Sequence, residues 1–129
     1  MTLSEAARIA FGILFILAGA LHFVVPGYYA AIVPSYLPAP AALVALSGVV
    51  EIAGGVGFLI PRLRKVAGVV LILLLIAVLP ANLEMLRIAR TNGSAAWVEA
   101  LLWLRLPLQV VLIWLAWRLS RTDGQPRRA

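Results

Sequence analysis

The residues of this chain that could do chemistry are polar side chains placed inside long apolar stretches. They are His22, Glu51, Asn82, Arg105 and Gln109. A charged side chain at the centre of a bilayer costs about 2.5–3.5 kcal/mol on insertion scales, so it must be paired, protonated, or in contact with water or a ligand. A carboxyl group can exchange a proton, a guanidinium donates to oxygen atoms, and an amide both donates and accepts. These residue types therefore predict a site that holds the headgroup of a small amphipathic molecule.

Each of these residues also has a structural interpretation. A histidine near a helix end often makes a hydrogen bond only, as His22 would, and a buried acid such as Glu51 can belong to an ion pair that only fixes helix register. Arg105 cannot lose its proton, so it must reach the surface or an acid. We predict a contact between Arg105 and Glu51, direct or through one water, with Glu84 as the second choice. Glu84 can instead pair with Arg87, three residues on.

Several chemistries are excluded by residues that the chain lacks. It contains no cysteine and a single histidine, His22. Thiol chemistry and iron–sulfur ligation are excluded for the chain alone, and one histidine does not suffice for a bis-histidine haem or a structural zinc site. We therefore predict no catalytic residue and no metal ligand, and we expect no self-contained enzyme. A cofactor would be a quinone or lipid held without a covalent bond, and a redox group would come from a partner.

Composition and hydropathy indicate an integral membrane protein. Hydrophobic residues make up 64% of the 129 residues and the mean hydropathy is +1.04, whereas soluble domains contain about 45–50% apolar residues. A helix needs about 20 residues to cross about 30 Å of hydrocarbon. Four stretches have that length, at about 5–25, 41–60, 66–86 and 97–118. We predict an all-α, antiparallel four-helix bundle that forms a single membrane domain over residues 1–120.

The net charge is +6, but the basic residues lie mainly at the ends of the spans. Their distribution therefore indicates the orientation of the spans in the membrane rather than a nucleic-acid partner. One predicted side holds only Arg87 and Arg90. The other side holds eight basic residues: Arg8, Arg62, Arg64, Lys65, Arg118, Arg121, Arg127 and Arg128. The positive-inside rule then predicts cytoplasmic termini. We expect residues 121–129 to form a disordered basic tail that contacts anionic lipid.

The first span has one face that is suited to helix packing. Residues on this face recur at intervals of three and four: Arg8, Gly12, Phe15, Gly19 and His22. Small residues let neighbouring helices approach closely, so the face predicts a packing seam with His22 at its outer end. The segment 18–20 also resembles a cleavage site, which makes a signal peptide the alternative for this span. The apolar run continues to Val25, and this favours a retained span.

Residues 26–40 form an uncharged connection that we expect to be an interfacial lid over the outer mouth of the bundle. Its four prolines prevent a continuous helix. Its three tyrosines suit the level of the lipid headgroups, so ordinary interfacial anchoring is the alternative.

Two further features predict how the polar residues are positioned. Pro80 removes a backbone donor in the third span and clashes with the carbonyl one turn earlier, so we expect a kink there. Asn82 lies just beyond that kink. In the second span Gly48 and Gly54 lie on either side of Glu51, which leaves room for another helix or a ligand beside the acid.

Several motifs follow one another along the membrane part of the chain. They are Ala18–Phe23 with Pro26 and 32–34, Ser47–Glu51 with Gly54 and Gly55, Leu79–Asn82, and Leu104–Gln109. In their order and spacing, over about residues 8–117, the sequence resembles the DoxX-like family of small four-span bacterial membrane proteins. The resemblance implies that the five residues of the predicted site are family positions. It also implies a link to quinone-dependent sulfur oxidation, to membrane oxidoreductase assemblies or to the maturation of redox enzymes.

The residues and the resemblance together predict an accessory membrane subunit. It would bind a quinone-like or other small amphipathic molecule beside a soluble or membrane oxidoreductase subunit, with membrane lipid as a further partner. One alternative is a proton-coupled small-molecule transporter, for which four spans are few, so that a homo-oligomer would be needed. Another is a purely structural subunit, in which Glu51 and Arg105 only specify helix register. A lipid-modifying enzyme is the last alternative.

Overall fold

The computed structural model describes residues 1–121, and it contains helices and no strand within that range. The helices are α1 (Leu3–Val24), α2 (Pro26–Ala30), α3 (Pro40–Leu59), α4 (Arg64–Ala77), α5 (Leu79–Thr91) and α6 (Ala96–Arg121). Four stretches are long and apolar enough to cross a membrane: α1, α3, α4 together with α5, and α6. The predicted all-α class is confirmed, and so is the presence of four helical stretches that are long and apolar enough to span a membrane. The predicted basic tail lies outside the described residues from residue 122 onward.

Helix α1 begins at a capping box. The Thr2 hydroxyl accepts a hydrogen bond from the Glu5 backbone N–H, and the Glu5 carboxylate accepts one from the Thr2 backbone N–H. Both bonds satisfy donors that a helix N-terminus otherwise leaves open.

Helices α1 and α3 meet backbone to backbone along a glycine seam, which consists of Gly12 against Gly55 and Gly19 against Gly48. A β-carbon added to Gly55 would lie 2.6 Å from the Gly12 carbonyl oxygen. One added to Gly19 would lie 2.8 Å from the Gly48 carbonyl oxygen. A side chain at either position would separate the helices, so the seam requires glycine. The packing face predicted for the first span is confirmed, with His22 next along it.

One end of the molecule, which we call the closed end, is filled with apolar side chains from α1, α3, α4 and α6. They are Phe11, Phe15, Phe58, Ala67, Leu71, Leu75, Ala116 and Leu119. Arg8 is also buried here, and its Nε–H donates to the Leu119 carbonyl at 3.0 Å. Gly68 lets α4 approach α6, because a β-carbon on it would lie 2.5 Å from the Ser120 side chain.

The third span is interrupted where the sequence predicts a kink. Helix α4 ends at Ala77, α5 begins at Leu79, and Pro80 lies in the first turn of α5. Pro80 has no N–H to donate, so the helical hydrogen-bond ladder cannot pass this point intact. By contrast, Pro107 lies inside α6, and that helix continues through it to Arg121.

The helices pack in an order that leaves space at the other end. Helix α3 lies against α1 and α4, whereas α6 lies mainly against α4 and α5. At the closed end, glycine contacts join α1 to α3, α3 to α4 and α4 to α6. At the opposite end, which we call the cavity end, α1 and α3 face α5 and α6 across an open space. The short helix α2 lies beside α3 at this end.

Candidate functional site

A cavity of about 660 Å³ occupies the cavity end. Its walls are mostly aliphatic, and its volume falls in the range of about 300–1,000 Å³ that is usual for small-molecule sites. All five residues of the predicted site line it: His22, Glu51, Asn82, Arg105 and Gln109. Phe15 and Leu75 form part of its floor and belong also to the core of the closed end. The structure therefore brings the predicted residues together, while their role in binding remains a prediction.

His22 and Glu51 form a pair on the wall made by α1 and α3. His22 Nδ1 lies 2.9 Å from the Ala18 carbonyl oxygen and 3.4 Å from Glu51 Oε2. A carbonyl oxygen can only accept, so Nδ1 carries a proton and donates it to Ala18, with the carboxylate nearby. Both side chains are mostly buried. The glycine seam causes this proximity, because Gly48 packs against the His22 β-carbon.

Tyr29 of α2 completes this side of the cavity. Its ring stacks on the His22 ring, with 4.0 Å between centroids and 15° between the ring planes. Burial raises the pKa of the Tyr29 hydroxyl above its ordinary value of 10.0, the charge of Glu51 raises it further, and the charge of Arg105 opposes both. Side chains from both walls of the cavity therefore act electrostatically on this one hydroxyl.

Asn82 and Gln109 form an amide pair on the opposite wall. Asn82 Nδ2–H donates to Gln109 Oε1 at 2.6 Å, which ties α5 to α6. Gln109 Nε2–H donates in turn to the Leu75 carbonyl, in the last turn of α4 before the interruption. The side chain of Gln109 thus satisfies backbone next to the break, and it is only 5% exposed. Asn82 retains its carbonyl oxygen as an acceptor toward the cavity.

The direct contact predicted between Arg105 and Glu51 is wrong. Glu51 lies against His22, and an Arg105 Nη1–H points instead to the sulfur of Met85 at 3.1 Å. The second choice, Glu84, is also wrong, because Glu84 binds Arg87 on its own helix. The reason is the packing order: α6 lies against α4 and α5, so Arg105 meets a residue of α5, while Glu51 of α3 meets α1.

Sequence reasoning missed three contributors to the site. Tyr29 was assigned only to the lid or to interfacial anchoring, and nothing in its sequence context indicates a stack on His22. Met85 lies in an ordinary apolar position of α5, where only the three-dimensional contact reveals its bond to Arg105. Ser47 also lines the cavity, one helical turn before Glu51. Its spacing of four residues from Glu51 places it on the same helix face, a signal that was available in the sequence.

Metal binding has no support in the described part of the chain. Within residues 1–121, no group of three or more histidine, cysteine or acidic side chains could hold a metal ion. The polar groups of the cavity are a His–Glu pair, two amides and one guanidinium. Such groups hold oxygen-bearing headgroups by hydrogen bonds and charge.

Comparison with known proteins places the site within a defined domain. Residues 11–120 match the family described as Domain of unknown function (DUF8561). The chain belongs to this family. The matched range contains almost all of the four candidate spans and all five predicted residues, so the cavity is part of the DUF8561 domain. No curated protein and no solved structure matches the chain significantly.

Proposed function

We propose that this DUF8561 protein binds a quinone-like or other small amphipathic molecule in its cavity, as an accessory subunit of a membrane redox system. The supporting observation is that polar side chains from α1, α3, α5 and α6 converge on one largely apolar cavity. Apolar walls accommodate a hydrocarbon tail, while a few convergent polar groups orient a headgroup. A purely structural role gives no reason for a cavity of about 660 Å³ at this place.

The two walls of the cavity would interact with a bound headgroup in different ways. On one wall Arg105 and Asn82 supply a charged donor and an amide for a carbonyl or hydroxyl oxygen. On the other wall Glu51 and His22 form a pair that can exchange a proton with that headgroup. A quinone has carbonyl oxygens to hold, and it takes up two protons when an oxidoreductase partner supplies two electrons.

The proposed architecture is an antiparallel four-helix bundle, with residues 26–40 as an interfacial lid over the cavity. The stack of Tyr29 on His22 supports the lid, because it joins α2 to the cavity wall. The resemblance to the DoxX-like family supports the bundle and a bacterial inner membrane as its location. These proposals go together, since a lid at the membrane surface requires the cavity to open toward that surface.

We propose that the closed end faces the cytoplasm, together with both termini. The positive-inside rule supports this orientation. Two further contacts agree with an interfacial position: the Arg118 guanidinium lies 5.2 Å from the Trp114 ring centroid, and that of Arg121 lies 3.6 Å from the Trp117 ring centroid. Tryptophan and arginine at a helix end are typical of the membrane–water interface.

The test is to identify what the protein holds after mild extraction. Wild-type protein is purified in a mild detergent, and small molecules are extracted and measured by mass spectrometry per mole of protein. Ala18→Phe adds bulk to the cavity lining, so we expect it to lose the bound molecule. Ala10→Phe is the matched control, because Ala10 lies on the same helix, is exposed and does not line the cavity.

Wild type and the control variant should carry the same amphipathic molecule in near-stoichiometric amount. The proposal is overturned if wild-type protein yields no reproducible molecule and binds no added short-chain quinone. It is also overturned if Ala18→Phe retains as much bound molecule as the control while it remains folded by circular dichroism.

A transport function is the second candidate, and the interrupted third span favours it. Transporters use broken helices at their substrate sites, and the break between α4 and α5 adjoins this cavity. Proton-coupled uptake in liposomes that is lost in Glu51→Gln would support transport. Binding without uptake in the same liposomes would support the accessory role.

A further inference from the structure

Arg105 is the cation of the cavity, and its described partner carries no charge. Its Nη1–H donates to a thioether sulfur, which is a weak acceptor. Each glutamate within residues 1–121 has a different partner: Glu5 with Thr2, Glu51 with His22, Glu84 with Arg87, and Glu99 with Arg90. A guanidinium keeps its proton under all physiological conditions. The described protein groups therefore place a permanent positive charge in the cavity without an anion in contact with it.

The other ionisable pair of the cavity, His22 with Glu51, is formed by α1 and α3 and makes no contact with Arg105. Tyr29 is neutral at ordinary pH, since its pKa lies above 10.0. Arg105 therefore offers one positive charge that no described anion contacts, and a monoanion bound to it would neutralise that charge. A charge in a low-dielectric site gains most from such a partner.

We propose that the cavity binds a single-chain amphipathic carboxylate, with the carboxylate on Arg105 and the hydrocarbon chain along the aliphatic wall. This inference rests on the proposed function, because it names the chemical class of the molecule that the same cavity holds. Leu74, Leu108 and Leu112 line the same cavity as Arg105 and supply apolar surface for the chain. The planar fork of a guanidinium matches the two oxygens of a carboxylate.

The charge and the volume favour a carboxylate over a phosphate. A phosphate monoester carries a charge of about −1.5 to −2 at neutral pH, which exceeds the one positive charge available. A phosphodiester lipid is a monoanion, but it brings two chains to a cavity of small-molecule size. A single-chain carboxylate satisfies the charge and the shape together.

The test uses a dodecanoic acid that carries a photoreactive diazirine on its chain. Wild-type protein in liposomes is labelled at about pH 8, well above the ordinary pKa of a carboxyl group, and the labelled peptides are mapped by mass spectrometry. Unlabelled dodecanoic acid and dodecanol, which differ only in the headgroup, then compete with the probe. We expect the acid to displace the probe at a concentration roughly tenfold to a hundredfold lower than the alcohol, as for one charge-assisted hydrogen-bonded pair.

Three variants test the role of the arginine. Arg105→Gln should reduce the affinity for the acid to that for the alcohol, whereas Arg105→Lys keeps the charge and should keep part of the preference. Arg90→Gln is the matched control, because Arg90 pairs with Glu99 and does not line the cavity. It should behave as wild type does.

Two results separate this inference from the function on which it rests. If the acid and the alcohol compete equally for a labelled cavity, the carboxylate inference is overturned and the amphipathic site stands. If neither competes, and no cavity peptide is labelled by this probe or by a photoreactive quinone, both proposals fail. The inference is also overturned if the Arg105→Gln variant is labelled by the acid probe as strongly as wild type, since Arg105 would then contribute nothing to binding of the acid.

Discussion

The two ends of this molecule are built from the same four apolar spans, but one end is filled with side chains and the other contains the cavity. At the closed end, aromatic and aliphatic side chains fill the space between helices, and the Phe58 and Leu71 side chains are fully buried. At the cavity end, α1, α3, α5 and α6 surround a mostly apolar cavity of about 660 Å³ that a few polar side chains also line. A protein selected only for stability would fill both ends, because an interior void forfeits contacts. This difference is the basis of our proposal that the closed end holds the structure together and the cavity end performs the function.

The largest effect on stability should come from the core of the closed end. Leu71→Ala removes a side chain that is 0% exposed, so it should lower the free energy of unfolding by about 2–5 kcal/mol. Leu73→Ala is the matched control, because Leu73 is 60% exposed on the same helix. Reversible unfolding in mixed detergent micelles measures both. Equal losses for the two variants would contradict a packed closed end.

The glycine seam should show the next largest effect. Gly55→Ala places a methyl group against the Gly12 carbonyl, so we expect a loss of about 1–3 kcal/mol as α1 and α3 move apart. Gly27→Ala is the control, because nothing lies within 4 Å of a β-carbon built there. The variant should also weaken ligand binding, since the seam sets the distance between His22 and Glu51. A stable Gly55→Ala protein with intact binding would show that the two ends do not depend on this seam.

Polar contacts at the cavity end should matter much less for stability. Asn82→Ala removes the hydrogen bond to Gln109, and such bonds between membrane helices are worth about 0.6 kcal/mol on average. Asn92→Ala, at the exposed C-terminal end of α5, is the control. A loss for Asn82→Ala that equals the loss for Leu71→Ala would remove the distinction between the two ends.

The smallest effect is a shift in the titration of Tyr29. Its hydroxyl should lose its proton above pH 10.0, because burial and the charge of Glu51 raise its pKa. In the unfolded chain the proton leaves near pH 10, so native stability falls as the pH rises past that value and is unaffected below it. The ultraviolet absorbance of phenolate, taken as the difference between wild type and Tyr29→Phe, measures the midpoint.

Glu51→Gln provides the check on the cause of that shift. Removal of the carboxylate charge should move the Tyr29 midpoint down toward 10.0, while burial keeps it from returning completely. An unchanged midpoint would mean that Glu51 does not act on this hydroxyl, and the wall that we assign to α1, α2 and α3 would lose its electrostatic link.

Local features of the fold could be predicted because they depend on short stretches of sequence. Apolar runs indicated the four spans, and Pro80 indicated the break between α4 and α5, since a proline removes one N–H from the helical hydrogen-bond ladder. Pro107 shows the limit of this reasoning. It lies in the middle of α6, yet that helix continues through it. A proline is therefore compatible with a break, as at Pro80, or with a continuous helix, as at Pro107, and its local effect alone does not decide between them.

The sequence predicted which residues belong to the candidate site but not which of them contact one another. Depth in the membrane singled out Glu51 and Arg105, because a charge is costly there whatever its neighbours are. Their partners, however, were His22 and Met85 rather than each other. The opposite charges of Glu51 and Arg105 attract each other wherever their helices lie, so this attraction alone does not tell which helices come into contact.

The sequence by itself determined that this chain consists of four apolar helices with a small set of polar residues inside them, since hydropathy and helical periodicity are local properties. Only the tertiary structure decided that these residues share one cavity, that the acid meets the histidine, and that the guanidinium of Arg105 has a neutral neighbour. The physical reason is that partners depend on the order and rotation of packed helices. Close glycine contacts between α1 and α3, between α3 and α4 and between α4 and α6 contribute to that order among the described helices.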